Sequence, residues 1–210
     1  MYFVITADIV RSRELLKKGM RREFFLEAVN KANNLCSESL SVPFSLMRGD
    51  EIQGLVADAD FLPKAVRRLR YSFLPAILRI GIGIGGISTE VKSTSWEMDG
   101  EAFYRAREAL TSCGDNVLTV VKMGNPFVEG TATALFALID ALESKWTAGQ
   151  WEAVIAYEIY GTYQKAGEIL KVAPQNVSKR CHAARWPAVV EGEKAIVKLL
   201  KFALEGEKDK

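Results

Sequence analysis

The stretch RIGIGIG at residues 79–85 constrains the fold of this chain more than any other. Ile80, Ile82 and Ile84 alternate with Gly81, Gly83 and Gly85. A period of two specifies a strand, and a row of isoleucines needs a core on one face. The other face is bare backbone, so a helix or a ligand can come close to it. A dinucleotide-binding glycine motif would need a helix opening directly on the glycines and an acid about twenty residues later. Here the glycines interleave with isoleucine, and the loop-like STEVKSTSW follows. The stretch therefore predicts a sheet strand with a closely applied cover.

The neighbouring segments supply the sheet and its helices. YFVITADIV (2–10) reads as a buried strand, and RSRELLKKGM (11–20) as a charged loop or helix lead-in. RREFFLEAVNKANNLCSES (21–39) carries apolar residues at 24, 25, 28, 29, 32 and 35, a helical spacing with one inward face. PFSLM and IQGLVAD flank RGDE as a hairpin. DFLPKAVRRLRYSF (60–73) reads as a helix with Ala65, Val66 and Leu69 inward and Arg67, Arg68 and Arg70 on a solvated face. DGEAFYRAREAL (99–110) reads as a second amphipathic helix capped by Asp99, and NVLTVVKMG (116–124) as a last strand. From Thr131 onward only helical patterns occur. The expectation is an α+β protein: a mixed-sheet domain at 1–130 with flanking helices, followed by an all-helical domain at 131–210.

Bulk properties narrow the class. A chain of 210 residues with 49% hydrophobic and 26% charged residues can bury a substantial core. A net charge of +2 leaves any nucleic-acid surface to local clustering. Cys36, Cys113 and Cys181 are scattered and form no C-x-x-C, which argues against a disulfide framework or a zinc knuckle. With His182 as the sole histidine, a Ser-His-Asp triad and multi-histidine metal sites have little support. The apolar start lacks a basic lead and carries Asp8, so a signal peptide is not expected, and no run is long enough to span a bilayer. A cytoplasmic protein with no membrane partner is the expectation.

Three acids stand out. Asp8 lies inside an apolar strand, where a lone carboxylate is costly unless paired or metal-bound. Asp50 and Glu51 occupy the tip of the hairpin. If the hairpin lies beside the first strand, these carboxylates meet at one end of the sheet. Such a hard-oxygen set suits Mg²⁺ or Mn²⁺ and, through the metal, a nucleotide triphosphate. The competing explanation is that Gly-Asp simply suits a turn.

The order of these motifs resembles the palm-like fold of nucleotide cyclases, both class III and GGDEF types. ITADIVRS (5–12) resembles the first cyclase strand with its phosphate-wrapping loop, and RGDEIQGLV (48–56) the GGDEF hairpin. RIGIGIG resembles the glycine strand of class III enzymes, and DGEAFYRAREA (99–109) a helix of diguanylate cyclases. The whole arrangement, with its helical tail, resembles the SatD family. The resemblance implies Asp8 and Asp50 as metal ligands with Glu51 a possible third. It also implies a nucleotide- or phosphate-binding set of Ile9, Arg11, Ser12, Arg13, Arg48 and Gly49. Class III enzymes carry an Asn and an Arg in the helix after the glycine strand. Here Tyr104 stands near the first position and Glu108 at the second, with Arg105 and Arg107 displaced from it.

In the tail, QKAGEILKVAPQNVSKR (164–180) carries a helix-turn-helix pattern within about 147–186. Gly167 sits where two helices approach, Lys171 at the turn, Pro174 at the start of the second helix and Val177 on its inner face. Gln175, Asn176, Ser178, Lys179 and Arg180 then form a DNA-facing set, with amides for base edges and cations for phosphates. The layout resembles sigma-factor region four. A packing module or dimerisation arm would explain the same pattern. The final helix, AIVKLLKFALEG, has an apolar face wide enough for burial against a helix or a second subunit, so a homodimer is expected.

Together these features suggest a regulator that binds a nucleotide with Mg²⁺ or Mn²⁺ and double-stranded DNA. The alternative is a metal-dependent NTP cyclase or nucleotidyltransferase whose tail serves dimerisation. A third option is a degenerate domain that only supports the DNA-binding tail.

Overall fold

The computed structural model describes residues 1–47 and 49–208, the last two in backbone only. The chain divides into two compact units. The first comprises Met1–Ala137 with the chain from Ile196 onward, and the second is Leu138–Ala195. Among the described residues, no helix is long and apolar enough to cross a membrane.

The first unit is built on a five-stranded mixed sheet of order β2-β3-β1-β4-β5. Its strands are β1 (Tyr2–Ile9), β2 (Leu40–Leu46), β3 (Glu51–Val56), β4 (Leu78–Gly85) and β5 (Thr119–Lys122). β1 pairs antiparallel with both β3 and β4, whereas β5 runs parallel to β4. The helices are α1 (Ser12–Lys17), α2 (Arg22–Leu35), α3 (Leu62–Phe73) and α4 (Glu101–Thr111). The expected α+β architecture is thus present, with β4 lying next to β1 in the sheet.

The alternation in β4 does what its composition predicts. Ile80, Ile82 and Ile84 are fully buried. On the opposite face α4 lies against the glycines: a Cβ on Gly83 would stand 2.0 Å from the Ala102 carbonyl oxygen and 2.2 Å from the Ala106 nitrogen. The α4 side of the sheet is filled by Val4, Val42, Leu55, Met98, Ala102, Phe103 and Ala106.

Two local expectations are corrected. Arg67, Arg68 and Arg70 do not form a solvated face: they are 2%, 7% and 8% exposed. α3 is covered nearly all round, and its arginines spend their donors internally. Arg68 donates to the Leu35 carbonyl, and Arg70 Nη2 to Thr119 Oγ1 at 2.5 Å. Nor does Asp99 cap α4. The cap position belongs to Gly100 at φ 142°, and Asp99 instead accepts from the Gly100 N–H at 2.8 Å and the Tyr104 hydroxyl at 2.8 Å.

At the end of β5, Glu129 gathers the chain into α5 (Pro126–Glu143). Its Oε1 accepts from the N–H groups of Met123 at 2.9 Å and Gly124 at 2.7 Å, and Lys122 stands 3.4 Å from Oε2. Burial alone would raise the Glu129 pKa, but these donors and the lysine outweigh it and hold the group below the usual carboxylate value. The native state therefore keeps this carboxylate ionised at pH values where the unfolded chain takes up a proton. Its stabilising contribution is complete well above the ordinary glutamate pKa of about 4.3 and falls away as pH drops through the depressed native pKa. Glu129→Gln is expected to lower thermal stability at pH 7 and to flatten its decline on acidification, as measured by melting curves at pH 7 and at about pH 3.

The second unit is helical and centres on a trihelical group. The group contains α6 (Ala148–Tyr160), α7 (Tyr163–Leu170) and α8 (Pro174–Ala183) in mutual contact. The end of α5 and the start of α9 (Trp186–Lys208) lie beside it in the chain. Thr147 and Gln150 form a reciprocal capping box at the start of α6. Trp146 packs edge-on to Trp151 at 4.7 Å and to Trp186 at 6.5 Å, and its Nε1–H donates to the Ala184 carbonyl at 2.8 Å. α7 ends at Lys171 in the left-handed region, φ 54° and ψ 42°. That conformation strains a residue bearing a Cβ by about 1–2 kcal/mol, part of which glycine would give back through its freer unfolded chain. Lys171→Gly is expected to stabilise the protein by up to about 1 kcal/mol, a rise of roughly 2–4 °C in melting temperature.

α9 only partly fulfils its wide apolar face. Ile196 and Leu200 are fully buried, but Phe202 is 77% exposed.

Candidate nucleotide and metal site

The register of the sheet decides what meets at the end of β1. Asp8 is directly opposite Glu51 on β3 and directly opposite Arg79 on β4. Opposed residues in an antiparallel sheet share a face, so all three lie on the α4 side, one row beyond Thr6 and Gly81. Thr6 and Gln53 occupy that inner row as a buried hydrogen-bonded pair, Gln53 Nε2 donating at 3.1 Å.

Arg79 holds both oxygens of Asp8. Its Nε donates to Oδ1 at 2.9 Å and its Nη2 to Oδ2 at 2.6 Å, a bidentate pair. The hydrogen bond to Asp8 raises the Arg79 pKa further above its ordinary value. The cost of a carboxylate near the sheet interior is thereby offset. Asp50 follows Gly49, which turns the chain at φ 88°. The buried Ser12 hydroxyl, at the start of α1, donates to Asp50 Oδ2. The residue before it, Arg11, is left-handed at φ 55°. Ile9 is buried, while Arg11, Arg13 and Gly49 are exposed at the same end of the sheet. Arg48 lies outside the described residues.

Glu51 turns towards α4. Arg107 Nη2 stands 3.5 Å from its Oε1. The pair lies on the wall of a cleft of about 560 Å³, lined by Leu46, Met47, Glu51, Trp96 and Arg107. The three acids therefore share one end of the sheet, but each engages a different partner. Among the described residues, no three His, Cys, Asp or Glu side chains gather as a metal cluster. As donors, carboxylates at this end suit a hard divalent cation.

Sequence reasoning reached the acids but not the role of their partners. Arg79 stood in the glycine-strand motif without a role, yet its register opposite Asp8 makes it the countercharge. Trp96 sits in the polar run STSWEM, where nothing in the pattern marks it. In the structure it is 61% exposed on the short 3₁₀ turn Ser95–Glu97. Of the α4 arginines, Arg105 is spent on architecture. It donates to the Ile84 carbonyl at 2.7 Å and pairs with Glu101 at 2.8 Å, which leaves Arg107 facing the cleft. All three cysteines are buried and outside any disulfide, and burial pushes Cys113 and Cys181 up to about 11, so neither of these two is an activated nucleophile.

In the helical unit, a Cβ on Gly167 would stand 2.7 Å from the Val172 carbonyl oxygen, and Val177 is fully buried. Gln175, Asn176 and Lys179 are exposed on α8. Ser178 reaches the Tyr163 hydroxyl, and Arg180 lies over Gly149 at the start of α6.

A family model described as the SatD family matches residues 2–199, nearly the whole chain. The protein belongs to the SatD family. Among solved structures, this SatD-family protein is similar to a chain described as the structure of a bacterial light-regulated adenylyl cyclase. That likeness has a TM-score of 0.36 and 12% identity, covering 70% of this chain and 80% of the other. No curated protein matches.

Proposed function

We propose that this SatD-family protein is a nucleotide-responsive regulator. Its α/β unit binds a nucleotide triphosphate through Mg²⁺ or Mn²⁺ held by Asp8 and Asp50. Its trihelical unit binds double-stranded DNA with Gln175, Asn176 and Lys179 outermost. The observation that carries the first half is the row Glu51–Asp8–Arg79 across three adjacent strands, beside an open cleft. A metal at Asp8 displaces the Arg79 guanidinium, which is then available to a phosphate oxygen. The second half is supported by the tight α7–α8 approach at Gly167 and the left-handed turn at Lys171. A homodimer would present two such units to two half-sites.

The test is a mobility-shift selection from fragmented genomic DNA, with and without ATP or GTP and Mg²⁺. Nucleotide-dependent retardation is expected in the natural protein and not in Asp50→Ala. Lys179→Ala should weaken binding and reduce its salt dependence. Retardation that ignores both nucleotide and Asp50→Ala would leave only the scaffold role. A cyclic or linked nucleotide product, absent with Asp50→Ala, would replace the regulator with an enzyme.

A further inference from the structure

We infer that the cleft beside Glu51 is a base-reading subsite that selects guanine over adenine. This rests on the nucleotide-binding proposal and extends it from phosphate and metal to the base. The cleft's roughly 560 Å³ lies within the range of small-molecule pockets. Its wall combines apolar surface from Leu46 and Met47 with an indole that is 61% exposed. An indole face open at the mouth of a cleft is a stacking platform for a planar heterocycle.

The polar pair opposite supplies the selection. Glu51 and Arg107 approach at 3.5 Å, and their side chains remain 30% and 66% exposed, so both have capacity left for a ligand. Guanine presents, in order along one edge, the acceptor O6, the donor N1–H and the donor N2–H₂. An arginine beside a carboxylate offers the complementary order, a donor followed by two acceptors. Adenine presents a donor amino group where Arg107 also donates, and the acceptor N1 where Glu51 also accepts. Both contacts are then mismatched. Leaving hydrogen-bonding groups unpaired in a site built for them is what gives strong discrimination.

The test uses monophosphates in EDTA, so that no metal or triphosphate contact contributes. The readout is the Trp96 indole N–H resonance, assigned by its loss in Trp96→Phe. GMP is expected to move it saturably, and AMP only at concentrations at least about tenfold higher. In Glu51→Gln one of the two acceptors becomes a donor, so a guanine contact is lost and adenine N1 gains one, while Arg107 still matches O6; the preference for guanine should shrink. Equal responses to GMP and AMP, a stationary Trp96 resonance, or a Glu51→Gln protein whose preference for guanine is undiminished would overturn the inference. Asp50→Ala separates the two proposals. If Mg²⁺–GTP binding depends on Asp50 while Trp96 stays silent, the base subsite falls and the metal–nucleotide proposal stands. If GMP moves Trp96 and Mg²⁺–GTP binding ignores Asp50→Ala, the subsite stands and the metal assignment falls.

Discussion

Gly83→Val is expected to cost this protein more stability than any surface change. The new Cβ would sit 2.0 Å from the Ala102 oxygen and 2.2 Å from the Ala106 nitrogen, both main-chain atoms of α4. No rotamer change relieves that contact, because α4 itself must back away from the sheet. Doing so opens the cluster of Val4, Leu55, Met98, Phe103 and Ala106. Overpacking of a tight core costs about 1–3 kcal/mol, and more when backbone has to shift. The melting temperature should therefore fall by about 10 °C or more, or the protein should fail to fold. Gly86→Ala is the control. That position is exposed and a Cβ there meets nothing within 4 Å, so the melting curve should barely change.

The second large effect is expected at the corner of the trihelical unit. Gly167 touches the turn that follows its own helix: a Cβ would lie 2.7 Å from the Val172 oxygen and 3.3 Å from the Pro174 nitrogen. The same corner is closed by the Val172 N–H donating to the Gly167 carbonyl at 3.0 Å. Gly167→Val adds a branched side chain where backbone already fills the space. It should splay α7 from α8 and uncover Val177. Three of the four tryptophans, Trp146, Trp151 and Trp186, lie in this unit, so near-UV circular dichroism reads the loss directly. DNA retardation should disappear while nucleotide binding by the α/β unit persists. A variant with an unchanged tryptophan spectrum and unchanged DNA binding would contradict this account of the corner.

The two glycine sites show which parts of the structure were legible in the sequence. Alternating isoleucine and glycine states two facts at once, a buried face and a bare one, and only a strand under a close helix satisfies both. The hairpin and the helical corner were legible for the same reason, since turn chemistry and helix starts are local. The arginines of α3 were not legible. Three bases within four positions read as a wet face, and only the elements that cover α3 reveal otherwise. Carbonyls and hydroxyls supplied from far along the chain, Leu35 and Thr119, make their burial tolerable.

The candidate site divides in the same way. Asp8, Asp50 and Glu51 were visible as acids in unusual places. Their partners were not, because pairing with Arg79, Ser12 and Arg107 depends on register and on where α4 lies. Trp96 carried no sequence signal at all, since a lone tryptophan in a polar loop acquires meaning only from the cleft it borders.

Asp50 is proposed to take part in holding a divalent metal for a nucleotide. Electron paramagnetic resonance of free Mn²⁺ tests it most directly. The free-ion signal would be titrated with protein, with and without a non-hydrolysable GTP analogue, and each titration repeated with Asp50→Ala. Stoichiometric loss of the free Mn²⁺ signal beyond that caused by the analogue alone is expected, with no such loss in the variant. A signal that natural protein never depletes, or that Asp50→Ala depletes equally, would contradict it.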